Sequence, residues 1–151
     1  MKTNRAGLDL IKRFESFQPN AYAAPEQKGT DERTIGYGHV ILESETFPEP
    51  MTQAQADGLL ARDLARFELA VRNAVKVPLT GNQFSALVSF VFNVGDGAFK
   101  KSHMLEMANA FDMEGAAKEF ERWNHVGGKV LDGLTDRRKA ERELFEKEIS
   151  Q

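Results

Sequence analysis

Apolar positions recur at helical spacing over most of the chain. Leu8, Ile11 and Glu15 step by three and four residues, and Leu10, Phe14 and Phe17 widen the apolar side, which predicts a short amphipathic helix from Leu8 to Phe17. Pro19 and Asn20 are expected to stop it. From Ala21 to about Pro50 the helical period lapses, and Pro25, Gly29, Gly36, Gly38, Pro48 and Pro50 punctuate the chain. Thr34 to Ile41 reads there as a strand, so a small, irregular antiparallel sheet is expected.

Helical spacing returns at Thr52, which forms a capping-box pattern with Gln55. Leu59, Leu60, Leu64, Phe67, Val71 and Val75 carry a long helix to about Lys76, and Pro78 breaks it. Thr80 and Gln83 repeat the capping pattern. The segment Phe84–Val94 is apolar nearly all round, the mark of a buried central helix, with Gly95 and Gly97 closing it. Shorter helices are expected over Ser102–Ala110 and Met113–Trp123. Gly127, Gly128 and Gly133 mark a loop, and Thr135 opens a last, charged helix through Phe145. The order predicts an α+β fold over residues 1–151. A helix and small antiparallel sheet (1–50) would be joined by the long helix to a mainly α-helical lobe (51–151), with a cleft between lobes.

Composition narrows the function classes. The 151 residues suit one domain, and 41% hydrophobic with 28% charged residues exclude a disordered chain. The absence of cysteine removes disulfides, thiolate catalysis and Cys-ligated metals. A net charge of −3 argues against nucleic acid as a partner. No apolar run reaches the roughly 18 residues of a membrane span, so no stable membrane insertion is expected. The basic start Met1–Arg5 lacks the apolar stretch of a cleavable signal peptide, which predicts synthesis in the cytoplasm. A chain without an exposed apolar repeat is expected to be a monomer.

Among the chemical candidates, Glu15 stands near a helix C-terminus between Phe14 and Phe17. The helix end and the apolar neighbours both disfavour a charged carboxylate, which is how a general acid keeps its proton; a solvated helix-end glutamate is the plainer reading. The two glycines of Gly36-Tyr37-Gly38 leave backbone open to a packed helix or a ligand. Thr34 offers a hydroxyl that can position a water. His39 is read as a structural histidine or a titrating group. His39, His103 and His125 lack metal-ligand spacing, so neither a metal nor a cofactor is expected. Trp123 is core packing or a face for a sugar. Arg137, Arg138 and Arg142 alternate with acidic residues, which reads as a solvated ion-pair face. A single arginine buried against a carboxylate is the sharper reading of that run.

Four blocks together resemble the phage-type lysozymes, the endolysins of glycoside hydrolase family 24. They are IKRFESF around Glu15, TIGYGH from Thr34 to His39, LTGNQFSALVSFVFNVGDGAF from Leu79 to Phe99, and RWNHVGGKVLDGLTDRRKAERELF from Arg122 to Phe145. The resemblance implies hydrolysis of the β-1,4 bond between N-acetylmuramic acid and N-acetylglucosamine in bacterial peptidoglycan. It implies Glu15 as proton donor and Thr34 beside the attacking water. Tyr22, Gly38, His39, Asn93, Trp123 and Arg137 are expected to bind substrate or support the site, with Arg137, or its neighbour Arg138, as the family's partner of the catalytic glutamate.

One position departs from the family. Its aspartate, nine residues after the glutamate, is replaced here by Ala24, and the stretch from Tyr22 to Thr34 is about four residues longer than usual. Glu26 and Asp31 lie in that enlarged segment, and either is a candidate for the missing carboxylate. The resemblance implies host-cell lysis, with synthesis in the host cytoplasm, action on the wall or periplasm, and a holin or other membrane lesion for access. A weakened glycan-binding protein on the same fold and an antibacterial effector are the alternatives.

Overall fold

A computed structural model describes residues 1–148; the expected boundary at Gln151 lies outside them. The chain divides into two compact units. One is Glu15–Ala65; the other joins Met1–Phe14 to the chain from Arg66 onward.

The Glu15–Ala65 unit holds β1 (Gln18–Tyr22), β2 (Thr34–Gly36), β3 (His39–Val40) and the first half of helix α2 (Gln53–Ala74). The strands form one antiparallel sheet in the order β1-β2-β3, with Tyr22 opposite Thr34 and Ile35 opposite His39. A bulge lies between Gln18 and Tyr22. The expected single strand from Thr34 to Ile41 is instead a hairpin. Gly36 and Gly38 have φ of +68° and +77°, so the chain reverses at Tyr37 rather than running straight. Pro19 and Asn20 do not merely stop a helix; they belong to β1, where an edge position tolerates a residue without an N–H. Ile35, Tyr37, Met51, Ala56, Leu59, Leu60 and Leu64 form the unit's buried core. Gly36 faces it: a Cβ there would stand 3.4 Å from Met51 Sδ and 3.8 Å from Ala56 Cβ. Thr52 and Gln55 cap α2 reciprocally, Thr52 N–H donating to Gln55 Oε1 (2.8 Å) and Gln55 N–H to Thr52 Oγ1 (3.1 Å).

The second unit contains α1 (Arg5–Glu15, all but its last residue), α3 (Gly81–Val94), α4 (Asp96–Lys100), α5 (His103–Asn109), α6 (Met113–Glu119) and α7 (Asp132–Glu146). Helix α3 is the buried centre, with every residue from Phe84 to Val91 buried and Thr80 and Gln83 closing its start. Helix α1 lies so close to it that a Cβ on Gly7 would stand 2.6 Å from Ser85 Cβ. Phe90 sits edge-on to Phe99, Phe120 and Trp123, and Phe120 to Phe145.

Several boundaries differ from expectation: α1 ends at Glu15 rather than Phe17, and α6 at Glu119, followed by a 3-10 turn over Phe120–Arg122. Gly95 ends α3 at φ +96°, but Gly97 lies inside α4. Gly127 and Gly128, at φ +57° and +80°, turn a short hairpin of β4 (His125–Val126) and β5 (Lys129–Val130) rather than a plain loop. Helix α7 begins at Asp132, three residues before Thr135, and takes in Gly133. Among the described residues no helix is long and apolar enough to cross a membrane.

Candidate active site

Glu15 is the last residue of α1, and Ser16 at φ 60° turns the chain out of the helix towards β1. The glutamate is half-buried. Its Oε2 lies 2.8 Å, and its carboxyl carbon 3.5 Å, from the place a Cβ on Gly38 would take. The hairpin tip therefore seats the carboxylate directly on its backbone. Position 38 requires glycine twice over, for this approach and for its φ.

Tyr22 and Thr34 face each other across β1 and β2, so their side chains leave the same side of the sheet. The Tyr22 phenol has its pKa raised, by burial first and then by the negative charges of Glu15 and Glu26. Both carboxylates thus act on one side chain that shares a face with Thr34. Glu26 is exposed, in the turn of 3-10 helix Pro25–Gln27. Asp31 is exposed too, and among the described residues it makes no hydrogen bond or ion pair. Of the two, Glu26 is the one whose charge reaches the Tyr22 phenol.

Ala24, at the position of the family's aspartate, is 8% exposed and precedes the Pro25–Gln27 turn. Its N–H donates to Gln27 Oε1 at 2.9 Å. The same oxygen accepts the Thr34 hydroxyl at 3.0 Å. Gln27 is 2% exposed, and Thr34 5%. Sequence reasoning missed Gln27, although a proline at the first helical position with a glutamine two residues later carries half of a capping box.

His39 is held for structure. Its Nδ1 meets Asp63 Oδ2 at 2.7 Å and its Nε2 meets Glu45 Oε1 at 2.8 Å, while Phe47 stands edge-on 5.5 Å away. Glu45 also accepts from Leu42 N–H and from Arg62, and these bonds with His39 hold its carboxyl below the usual value. Both ring nitrogens being engaged, His39 has no edge left for a substrate or a metal.

The remaining candidates lie in the helical unit. Trp123 packs edge-on to Phe90, as the core reading expects, and also lines an open cavity of about 410 Å³ with Asn93, Val94, Arg122, His125, Val126 and Leu134. The ion-pair face expected on the last helix is not solvated where it matters: Arg137, Arg138 and Glu141 are 4%, 0% and 0% exposed. Arg137 donates to Glu141 (3.3 Å) and to the Ser89 carbonyl (3.2 Å), and Arg138 pairs with Glu141 and donates to Asn93. The Ser89 hydroxyl donates to Glu141 at 2.5 Å. Burial pushes the Glu141 carboxyl up and the Arg138 guanidinium down. Their spacing on α7 with Leu134, Leu144 and Phe145 is the signal that could have placed them inside.

The family model of the phage lysozymes matches residues 12–141. The chain belongs to the phage lysozyme family. It is 47% identical over 147 residues to an endolysin of Bacillus phage PZA, covering 96% of this chain and 55% of that protein. It is 40% identical over 150 residues to an endolysin of Acyrthosiphon pisum secondary endosymbiont phage 1, covering 97% and 99%. This chain thus spans about half the length of the Bacillus phage relative and nearly all of the other. The muramidase domain of SpmX from Asticaccaulis excentricus has a similar structure, with a TM-score of 0.85, 39% identity, and 97% and 99% of the two chains covered.

Proposed function

We propose that this chain is a muramidase that hydrolyses the β-1,4 bond between N-acetylmuramic acid and N-acetylglucosamine of bacterial peptidoglycan. Membership of the phage lysozyme family and the likeness to a muramidase domain support the reaction class. The observation that carries the site is the Glu15 carboxylate seated on Gly38, with Tyr22 under the influence of both Glu15 and Glu26.

Glu15 gives its proton to the glycosidic oxygen as the bond from that oxygen to the anomeric carbon breaks. A water held at Thr34 forms the new bond to the anomeric carbon and loses its proton to the second carboxylate. Glu26 takes that second role: it lies two residues past Ala24, near the place of the family's aspartate, and its charge reaches the Tyr22 phenol. An inverting reaction needs about 6.5–9.5 Å between the two carboxyl groups, with the water between them. In its biological setting the chain is made as a monomer in the host cytoplasm and reaches the wall through a membrane lesion, such as a holin provides, to lyse the cell.

Ala24 favours one other reading. Its side chain is buried and offers no group to a water, which suits a binding protein that holds glycan without cutting it. The two readings part on purified peptidoglycan. The native protein and Glu15→Gln are incubated with it, and the fragments are analysed by mass spectrometry after reducing-end labelling. The expected result is muramic-acid reducing ends from the native protein only. Wall binding without fragments from the native protein would overturn the muramidase reading.

A further inference from the structure

We infer that Gln27 is a positioning residue that fixes the Thr34 hydroxyl as a hydrogen-bond acceptor for the attacking water. The inference rests on the muramidase reading and deepens its site.

It begins with an atom assignment. The Ala24 N–H can only donate, so the Gln27 atom 2.9 Å from it is the amide oxygen and not the amide nitrogen. That same oxygen lies 3.0 Å from Thr34 Oγ1 and carries no proton. The Thr34 hydroxyl must therefore be the donor, and its single proton is committed to Gln27. What remains on Thr34 Oγ1 is acceptor capacity alone. A water bound there must offer a hydrogen.

Polarity of this kind matters for attack on an anomeric carbon. A water that gives one hydrogen to Thr34 and the other to a carboxylate keeps its lone pairs for the sugar. A freely rotating threonine hydroxyl would instead donate to one of those lone pairs in part of the population, opposing attack. Gln27 suppresses that rotamer. It is placed to do so firmly, being 2% exposed on a fixed backbone: its N–H donates to the Ala24 carbonyl at 2.8 Å, and its main-chain carbonyl accepts from Thr30. The enlarged segment between Tyr22 and Thr34 thus supplies a support for the water-binding threonine from the turn that follows Ala24.

The test compares the native protein, Gln27→Met, Gln27→Glu and Thr34→Val, with Gln27→Met also made in the Thr34→Val background. kcat and KM for release of muramic-acid reducing ends are measured with each unfolding midpoint. Gln27→Met is expected to lower kcat about 10-fold at unchanged KM, the effect of losing one orienting hydrogen bond. Gln27→Glu keeps an acceptor oxygen at the same place and should retain most of the native kcat near neutral pH. In the Thr34→Val background, Gln27→Met should cost nothing further. An equal loss in both backgrounds, or an equal loss in Gln27→Glu, would make Gln27 a cap of the turn only and overturn the inference alone. A native rate in Thr34→Val would overturn the role of Thr34 itself, which is failure of the parent reading. If Gln27→Met does not fold, the pH profile of Gln27→Glu decides. Protonation adds a donor to that carboxyl, so the acid limb of kcat should begin at a higher pH than in the native protein; a native-like profile overturns the inference.

Discussion

Charge is handled in opposite ways by the two units. In Glu15–Ala65 the carboxylates stay at or near water: Glu15 is half-buried, and Glu26 and Asp31 are exposed. The helical unit places Arg137, Arg138 and Glu141 inside, with Phe90 under the Arg138 guanidinium at 5.1 Å. A carboxylate that must meet a substrate needs an open side. A buried one must instead find all of its partners within the protein, or it destabilises the fold. The titration shifts follow the same division: Glu45, hydrogen-bonded at the surface, is held down, and Glu141, buried, is pushed up.

Substitutions sharpen this contrast. Glu15→Gln should reduce wall hydrolysis by about 100- to 10,000-fold, as removal of a general acid does, with little change in unfolding midpoint. Glu141→Ala should do the reverse. It strands two buried guanidiniums and should cost about 3–5 kcal/mol of stability in urea unfolding. Native stability in Glu141→Ala would break the contrast. Gly38→Ala should act on both properties, because its methyl group meets the Glu15 carboxylate and its φ is left-handed. About 1–2 kcal/mol of stability should go with a loss of rate, read from the same two assays.

Acid titration gives the smallest effect. The Glu45 value is lower folded than its ordinary 4.5, so its contribution is complete above that value and is lost as pH falls through the lowered one. Glu45→Gln should therefore flatten the acid limb of stability against pH. Glu141 has the other sign. Raised above 4.5 on folding, its contribution is present below that value and is lost as pH rises through the raised one. A shared sign in the two variants' pH profiles would contradict the contrast.

Some of this was legible in the chain and some was not. Capping at Thr52 and Thr80 and the burial of Phe84–Val91 followed from local pattern, because caps and helical period are properties of a few neighbouring residues. The Gly36-Tyr37-Gly38 reversal was hidden, since alternating residues read as a strand until φ is known to be positive at both glycines. Arg138 and Glu141 were passed over for a different reason, although their spacing carried a signal. A charged run has a solvated meaning by default, and only the mutual pairing that the fold creates makes the interior tolerable. Glu15 and Thr34 stood out as candidates in the chain, and their proposed roles come from the resemblance. Gln27 was passed over because a glutamine after Pro25-Glu26 looks like loop surface, and its contact with Thr34 spans seven residues.

In the reading proposed above, Glu26 stands in for the aspartate replaced by Ala24. The most direct measurement is the initial rate of muramic-acid reducing-end release by Glu26→Gln beside the native protein, with Asp31→Asn as control. Loss of about 100-fold or more in Glu26→Gln, with wall binding kept and Asp31→Asn at the native rate, is the predicted result. A native rate in Glu26→Gln would contradict it.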